Sequence, residues 1–255
     1  MVENPYRSPD QLPDTSPPTV DRGLSALLKL LGAVFGIGML LYLLLAPMHR
    51  GVRTPARANH CRNNLRNIGL ALHSYHDAHG AFPPAYTVDA DGNRLHSWRT
   101  LILPFIEQQA LYEQIDLTKP WDDPANAAAR EVAIDLYQCP SSVEAWLKPS
   151  YVVVVDGTSL FSGAEGKTFA DIKDGTANTI AIVEMHQSRA THWMEPVDAT
   201  MDEFCAVPEH GHATHPGVFQ AAFADAHASA IANECDPEQL RALVTIAGGE
   251  RITDE

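Results

Sequence analysis

Histidine, cysteine and carboxylate side chains are the groups in this chain whose types and spacing bear on chemistry. His210, His212 and His215 fall within six residues, with His186, His192, Asp225 and His227 as candidate neighbours. Two or three neutral imidazoles plus a carboxylate are suitable donors for zinc or a similar borderline ion. The spacing contains no HExxH, and Gly211 and Ala213 between the histidines read as loop. A solvated loop with one structural histidine therefore outweighs a metal-dependent hydrolase built on His210, His212 and His215. His215 is expected to hydrogen-bond backbone, or Asp225 across a hairpin. Cys61, Cys139, Cys205 and Cys235 allow three pairings, or four free thiols in a reducing compartment. There is no CxxC, which argues against a redox motif or a zinc ribbon.

Two oxygen-rich segments follow the same logic. Asp174-Gly175-Thr176-Ala177-Asn178-Thr179 offers side-chain oxygens to a cation, yet Asp and Asn also bond their own backbone and shape turns, which is the preferred reading. Asp89-Ala90-Asp91-Gly92-Asn93 resembles half an EF-hand loop but has no glutamate at the twelfth position. A nucleophile elbow, a P-loop and a dinucleotide fingerprint are all absent from the sequence. Trp98, Phe105, Tyr112 and Trp121, at helical spacing, read as core before they read as a pocket for a solute or glycan. The expectation is a protein without catalysis and without a cofactor.

These groups need elements to position them. Residues 1–23 hold five prolines among polar residues and read as a disordered tail. Residues 24–46 are apolar except for Lys29, and a helix of that length reaches about 34 Å, enough for a hydrocarbon core of roughly 30 Å. Gly32 and Gly36 form a GxxxG that lets two spans pack closely, so a second copy of the chain is a candidate partner beside the bilayer itself. Pro47 closes the span, and residues 47–57 form a basic neck.

From Asn59, a candidate N-cap, the series Cys61, Leu65, Ile68, Leu72 and Tyr75 makes one apolar stripe ending near Gly80. Opposite it lies a wet face of Arg62, Asn63, Arg66, Asn67 and His73. Asp91-Gly92 predicts a hairpin over 85–96. Ser97 caps a helical region reaching about Ile115 that Pro104 must kink or divide. Asp123-Pro124 and Asp236-Pro237 each read as a cap followed by a first-turn proline. Strands are predicted at Tyr151–Val155 and Thr179–Met185, with a hairpin from Val218–Ala224 and His227–Ile231. Helices first and strands later give an α+β class with a mostly antiparallel sheet.

Charge limits the partners. The chain has 18 Lys and Arg against 32 Asp and Glu, and residues 1–57 account for six of the former and four of the latter. A body that acidic repels phosphate backbones, which excludes nucleic acid as an expected partner. Orientation carries two opposed signals. Arg50, Arg53, Arg57 and Arg62 follow the span, and the positive-inside rule puts them in the cytoplasm. Paired cysteines would put the same region in an oxidising compartment.

Several ordered blocks carry a family resemblance. They are residues 61–84, from Cys61-Arg62-Asn63-Asn64-Leu65 to Phe82-Pro83-Pro84; Ser97-Trp98-Arg99; Leu103-Pro104-Phe105-Ile106-Glu107-Gln108; Pro120-Trp121-Asp122; and Tyr137-Gln138-Cys139-Pro140-Ser141. Ser150-Tyr151-Val152, Asp171–Ile180 with Asp174, Gly175 and Asn178, and Glu184 continue the series. Together they resemble the bacterial family that joins a prepilin-like N-terminus to domain of unknown function 1559. The family's H-x9-DG signature corresponds to His215 and Asp225, with Ala226 in place of the glycine.

The resemblance spans about residues 58–250. It implies a pilin-like ectodomain, a long N-terminal helix packed on an antiparallel sheet, exported across the cytoplasmic membrane. It also implies that Cys61 meets Cys139, which leaves Cys205 with Cys235. The family's Gly-Phe-Thr-Leu-Ile-Glu signal is absent; Gly23 is followed by Leu24-Ser25-Ala26-Leu27-Leu28, with no glutamate at the fifth place. The expected protein is therefore a single-pass envelope protein with structural, assembly or binding work, associating with itself or with pseudopilin-like partners. A solute- or glycan-binding module is the runner-up.

Overall fold

The computed structural model describes residues 20–142, 147–185, 190–206 and 215–250, with side chains at 20–22 and 44–55 left out. Two compact units divide at Val52 and Arg53.

In the N-terminal unit, helix α1 (Val20–His79) begins with Gly23–Leu43, a 21-residue stretch of mean hydropathy 2.1 with no residue buried against the protein. It is long and apolar enough to cross a membrane. Helix α1 does not stop at Pro47 or restart at Asn59. The neck read over 47–57 is helical as well. A proline removes one hydrogen bond from a helix without forbidding helix on both sides. Asn59 caps nothing, because the residues ahead of it already supply helical carbonyls.

In the globular unit, Cys61, Leu65, Ile68 and Leu72 are buried, as their spacing predicts, while Asn63, Arg66 and Asn67 stay exposed. This face of α1 covers a four-stranded antiparallel sheet of order β3-β5-β7-β8, formed by Tyr151–Val152, Ile180–Glu184, Val218–Phe223 and Ala228–Ala232. Alternation divides the strand residues between two cores. Tyr151, Ile182 and Ala222 pack under α1. Val152, Val183, Phe219, Ala221 and Phe223 face the other way. There they meet Phe204 of helix α5 (Met201–Cys205) and Leu240 and Val244 of helix α6 (Pro237–Val244). The fold is α+β, with the sheet covered on both faces.

The hairpin predicted around Asp91-Gly92 is strands β1 (Tyr86–Val88) and β2 (Arg94–Ser97). The helical region after Ser97 is divided as Pro104 requires, into α2 (Trp98–Leu101), a 3-10 turn (Leu103–Ile106) and α3 (Gln109–Tyr112), and α4 (Ala127–Arg130) follows the turn capped by Asp123. Ser97 caps the first of these through its hydroxyl, which accepts from Arg99 N. The Tyr151–Val155 run is two strands instead of one. Tyr151–Val152 is β3, whereas Val154–Val155 is β4 and pairs in parallel with β6 (Ala199–Thr200).

A carboxylate causes the break. Asp198 Oδ1 takes the Val153 amide at 3.1 Å, the Trp98 indole N–H at 3.2 Å and Arg99 Nη2 at 2.6 Å. Arg99 also donates to Tyr151 O at 2.9 and 3.2 Å and to Ser97 Oγ at 2.9 Å. Both charged side chains are essentially inaccessible to water. Removing one partner of such a pair typically costs about 3–5 kcal/mol, because the other charge is left buried. Burial holds the Asp198 carboxyl above the ordinary carboxylate range, with the Arg99 guanidinium opposing part of that rise.

His192 gives the core an acid sensitivity. Its Nδ1 accepts the Met194 amide at 3.0 Å, so the neutral ring carries its proton on Nε2 and donates to Arg130 O at 2.8 Å. Burial lowers this imidazole, and lowers that of fully buried His96, below the ordinary 6.5. A pKa depressed by folding contributes stability above the unfolded value, and that stability is lost as pH falls through the folded value. The melting temperature of the detergent-solubilised chain is therefore expected to drop between pH 7 and pH 5, above the carboxylate range. His192→Gln should flatten that drop in a pH series of thermal melts; an unchanged slope would remove His192 from the effect.

Candidate functional site

Four side chains from four separate segments converge at one end of the sheet. Cys61 comes from the buried stripe of α1 and Cys139 from the loop ahead of β3. Glu184 ends β5, opposite Tyr151 on β3. His215 forms an isolated bridge with Val218 just before β7. Cys61 and Cys139 are joined in a disulfide with Cα atoms 5.4 Å apart, closing a sequence separation of 78. In the chain-entropy description a loop of that length contributes about 4–5 kcal/mol.

His215 Nε2 lies 3.2 Å from Cys61 Sγ, 3.5 Å from Cys139 Sγ and 3.5 Å from Glu184 Oε1. The donor atoms of all four residues lie within 4.8 Å of one another, and all four residues are buried. Burial lowers the His215 imidazole, favouring the neutral ring that can donate a lone pair. Glu184 Oε2 accepts from Gln220 N at 3.3 Å, and Gln220 in turn takes Arg62 Nε at 3.3 Å, which ties the site back to α1. The Glu184 charge also adds to the burial that raises the Tyr151 phenol. Chemically this is a closed set of two sulfurs, one imidazole and one carboxylate, a soft-to-borderline donor set with no solvent-exposed member.

The sequence-derived candidates are dispersed differently from expectation. His210, His212 and His186 lie outside the described residues. His215 does not pair with Asp225. Asp225 is exposed and sits 2.6 Å from His227 Nδ1, because the β7–β8 turn points both away from the end of the sheet where His215 lies. His192 is occupied by Arg130 and Met194, and its ring stacks on Trp121. Cys205 and Cys235 are free thiols and not the second disulfide. Cys205 is buried at the end of α5 in the second core, whereas the Cys235 thiol turns toward Gln239 Oε1 on α6 at 3.4 Å.

The Asp174 segment is a turn. Gly175 has φ +93°, and the Asp174 carboxylate accepts Gly248 N at 2.7 Å and Gly249 N at 2.9 Å, fastening the C-terminal loop. Asn178 Nδ2 donates to Asp174 O at 3.0 Å. Asp89 likewise spends its carboxylate on Asp91 N, Asn93 N and the Asn93 side chain. Among the aromatic candidates, Trp98 is fully buried, while Phe105, Tyr112 and Trp121 are half-buried against the same core.

The glycine of the H-x9-DG pattern now has a physical reason. Ala226 occupies its place at φ +68°, in the left-handed region that costs a residue with a Cβ roughly 1–2 kcal/mol. A Cβ on Gly69 of α1 would stand 3.1 Å from both Ala226 Cα and Ala226 Cβ. Ala226→Gly is expected to stabilise the protein by about 1 kcal/mol, and Gly69→Ala to destabilise it, in denaturant titrations of the two variants beside the parent chain. A destabilised Ala226→Gly variant would contradict this account of the turn.

No curated protein and no solved structure matches the chain. Residues 50–165 match the family model described as a protein of unknown function (DUF1559), and that segment holds Cys61, Cys139 and the Ser97–Arg99 block. Over residues 50–165 the chain is thus similar to the DUF1559 family, and the ordered motifs that continue to Glu184 and His215 extend that likeness.

Proposed function

We propose that this is a single-pass protein of the cell envelope, anchored in the cytoplasmic membrane by Gly23–Leu43 and presenting its globular unit on the extracytoplasmic side, where it works in assembly and not in catalysis. The observation that carries this reading is the Cys61–Cys139 disulfide in the unit that follows an apolar helix exposed along its whole length. Disulfides persist where the compartment is oxidising, and this weighs against the arginines after the span, whose bias is statistical. Self-association or pairing with pseudopilin-like spans fits Gly32 and Gly36, where nothing lies within 4 Å of an added Cβ. Their bare backbone is open to a neighbouring helix.

Topology is testable in cells that make the full chain. The protein should stay in the membrane pellet after alkaline extraction, and an impermeant protease should digest the globular unit in intact spheroplasts. Recovery in the soluble fraction, or protection until lysis, would overturn the anchor or its orientation respectively. Detergent-phase cross-linking should give fewer dimers for Gly32→Leu and Gly36→Leu than for the parent chain. Equal yields would remove the span as the contact.

A further inference from the structure

Burying a carboxylate and an imidazole against a disulfide is costly. Glu184 and His215 are each 1% exposed, and although Glu184 accepts the Gln220 amide, the disulfide offers the His215 ring no strong hydrogen-bonding partner. Among the described residues His215 Nδ1 has no hydrogen-bond partner, while Nε2 points at both sulfurs and at Glu184 Oε1. A buried polar atom without a partner calls for a physical reason, and an ion held by the neighbouring donors is one.

We infer that Cys61, Cys139, Glu184 and His215 form a second, mutually exclusive state of the same site, in which the opened cysteines bind a divalent ion of the zinc type. Tetrahedral zinc with sulfur, nitrogen and oxygen donors at about 2.0–2.3 Å requires donor-to-donor edges of about 3.3–3.8 Å. Three edges are in or near that range already: 3.2 Å and 3.5 Å from His215 Nε2 to the two sulfurs, and 3.5 Å to Glu184 Oε1. The remaining donors lie within 4.8 Å, and only the sulfur–sulfur bond has to open.

The chemistry balances in two steps. A dithiol reductant transfers two electrons and two protons to the Cys61–Cys139 bond, leaving two thiols and becoming a disulfide itself. The ion then replaces the two thiol protons, which leave to solvent, and accepts lone pairs from neutral His215 and ionised Glu184. The metal-bound form belongs to the chain before its disulfide has closed, or after such a reductant has opened it. The inference is independent of the membrane anchor, since all four ligands lie in the globular unit.

The test uses the full chain in detergent, reduced with dithiothreitol, desalted without oxygen and titrated with cobalt(II). One cobalt per chain is expected, with the intense visible absorption of a tetrahedral ion and a thiolate-to-metal band in the ultraviolet. The oxidised chain should bind none. Cys205→Ser with Cys235→Ser should leave the spectrum unchanged, whereas His215→Ala and Glu184→Gln should each abolish its tetrahedral form. If reduction unfolds the chain, cobalt or zinc should restore the helical circular dichroism, because binding and folding are then one event. A reduced chain that takes up no cobalt, folded or unfolded, overturns the inference. So does a tetrahedral spectrum that survives either ligand variant.

Discussion

One buried ion pair sets the layout of the globular unit. Arg99 stands on α2, Asp198 precedes β6, and 99 residues separate them in the chain. Their charges are tolerable in the core because each is saturated locally. The guanidinium spends its donors on Asp198, Tyr151 O and Ser97 Oγ, while the carboxylate takes the Trp98 indole, the Val153 amide and Arg99. A hydrophobic substitute of equal volume can pack as stably, but it cannot satisfy the Tyr151 carbonyl and the Val153 amide. The pair therefore determines where β3 ends and β4 begins, and with it which strand joins the main sheet. Tyr137 adds a further tie, its hydroxyl donating to Arg99 O at 2.7 Å.

That frame leaves α1 to be fastened to the sheet, and the fastening is mostly polar or covalent at specific points. Asn64 Nδ2 donates to Gln138 O at 3.0 Å, Arg62 to Gln220, and His73 Nε2 to Ala224 O at 2.7 Å. The disulfide lies beside the first two of these contacts, and the close approach of Gly69 to Ala226 lies near the third. Apolar packing of Leu65, Ile68 and Leu72 supplies area without direction. The directional contacts fix the rotation and register of the helix, and so bring Cys61 within reach of Cys139, Glu184 and His215.

What the sequence made legible is what depends on neighbours a few residues away. The stripe from Cys61 to Leu72, the Asp91-Gly92 turn, and the caps at Ser97, Asp123 and Asp236 are all local, and all are present. The continuity of α1 past Pro47 was not legible, because proline and asparagine report preferences that a long helix overrides. Nor was the split of Tyr151–Val155, which requires a carboxylate more than forty residues away. The four-residue site was hidden for the same reason: Cys61 and His215 are 154 positions apart, and no spacing rule spans four elements. His215 drew attention through neighbouring histidines, yet its described partners are two cysteines and a glutamate.

The two states of that site bear on how the chain matures. A disulfide and a tetrahedral ion both join α1 to the loop ahead of β3, but the ion would also join β5 and the start of β7, through Glu184 and His215. Metal binding therefore stabilises contacts among all four segments, whereas the disulfide constrains only the first two. A reduced chain holding an ion would have the sheet and helix assembled around the two sulfurs, already adjacent. Oxidation would then release the ion and leave Glu184 and His215 buried without it. The polar pair that makes the oxidised site costly is the same pair that would allow the reduced site to be built.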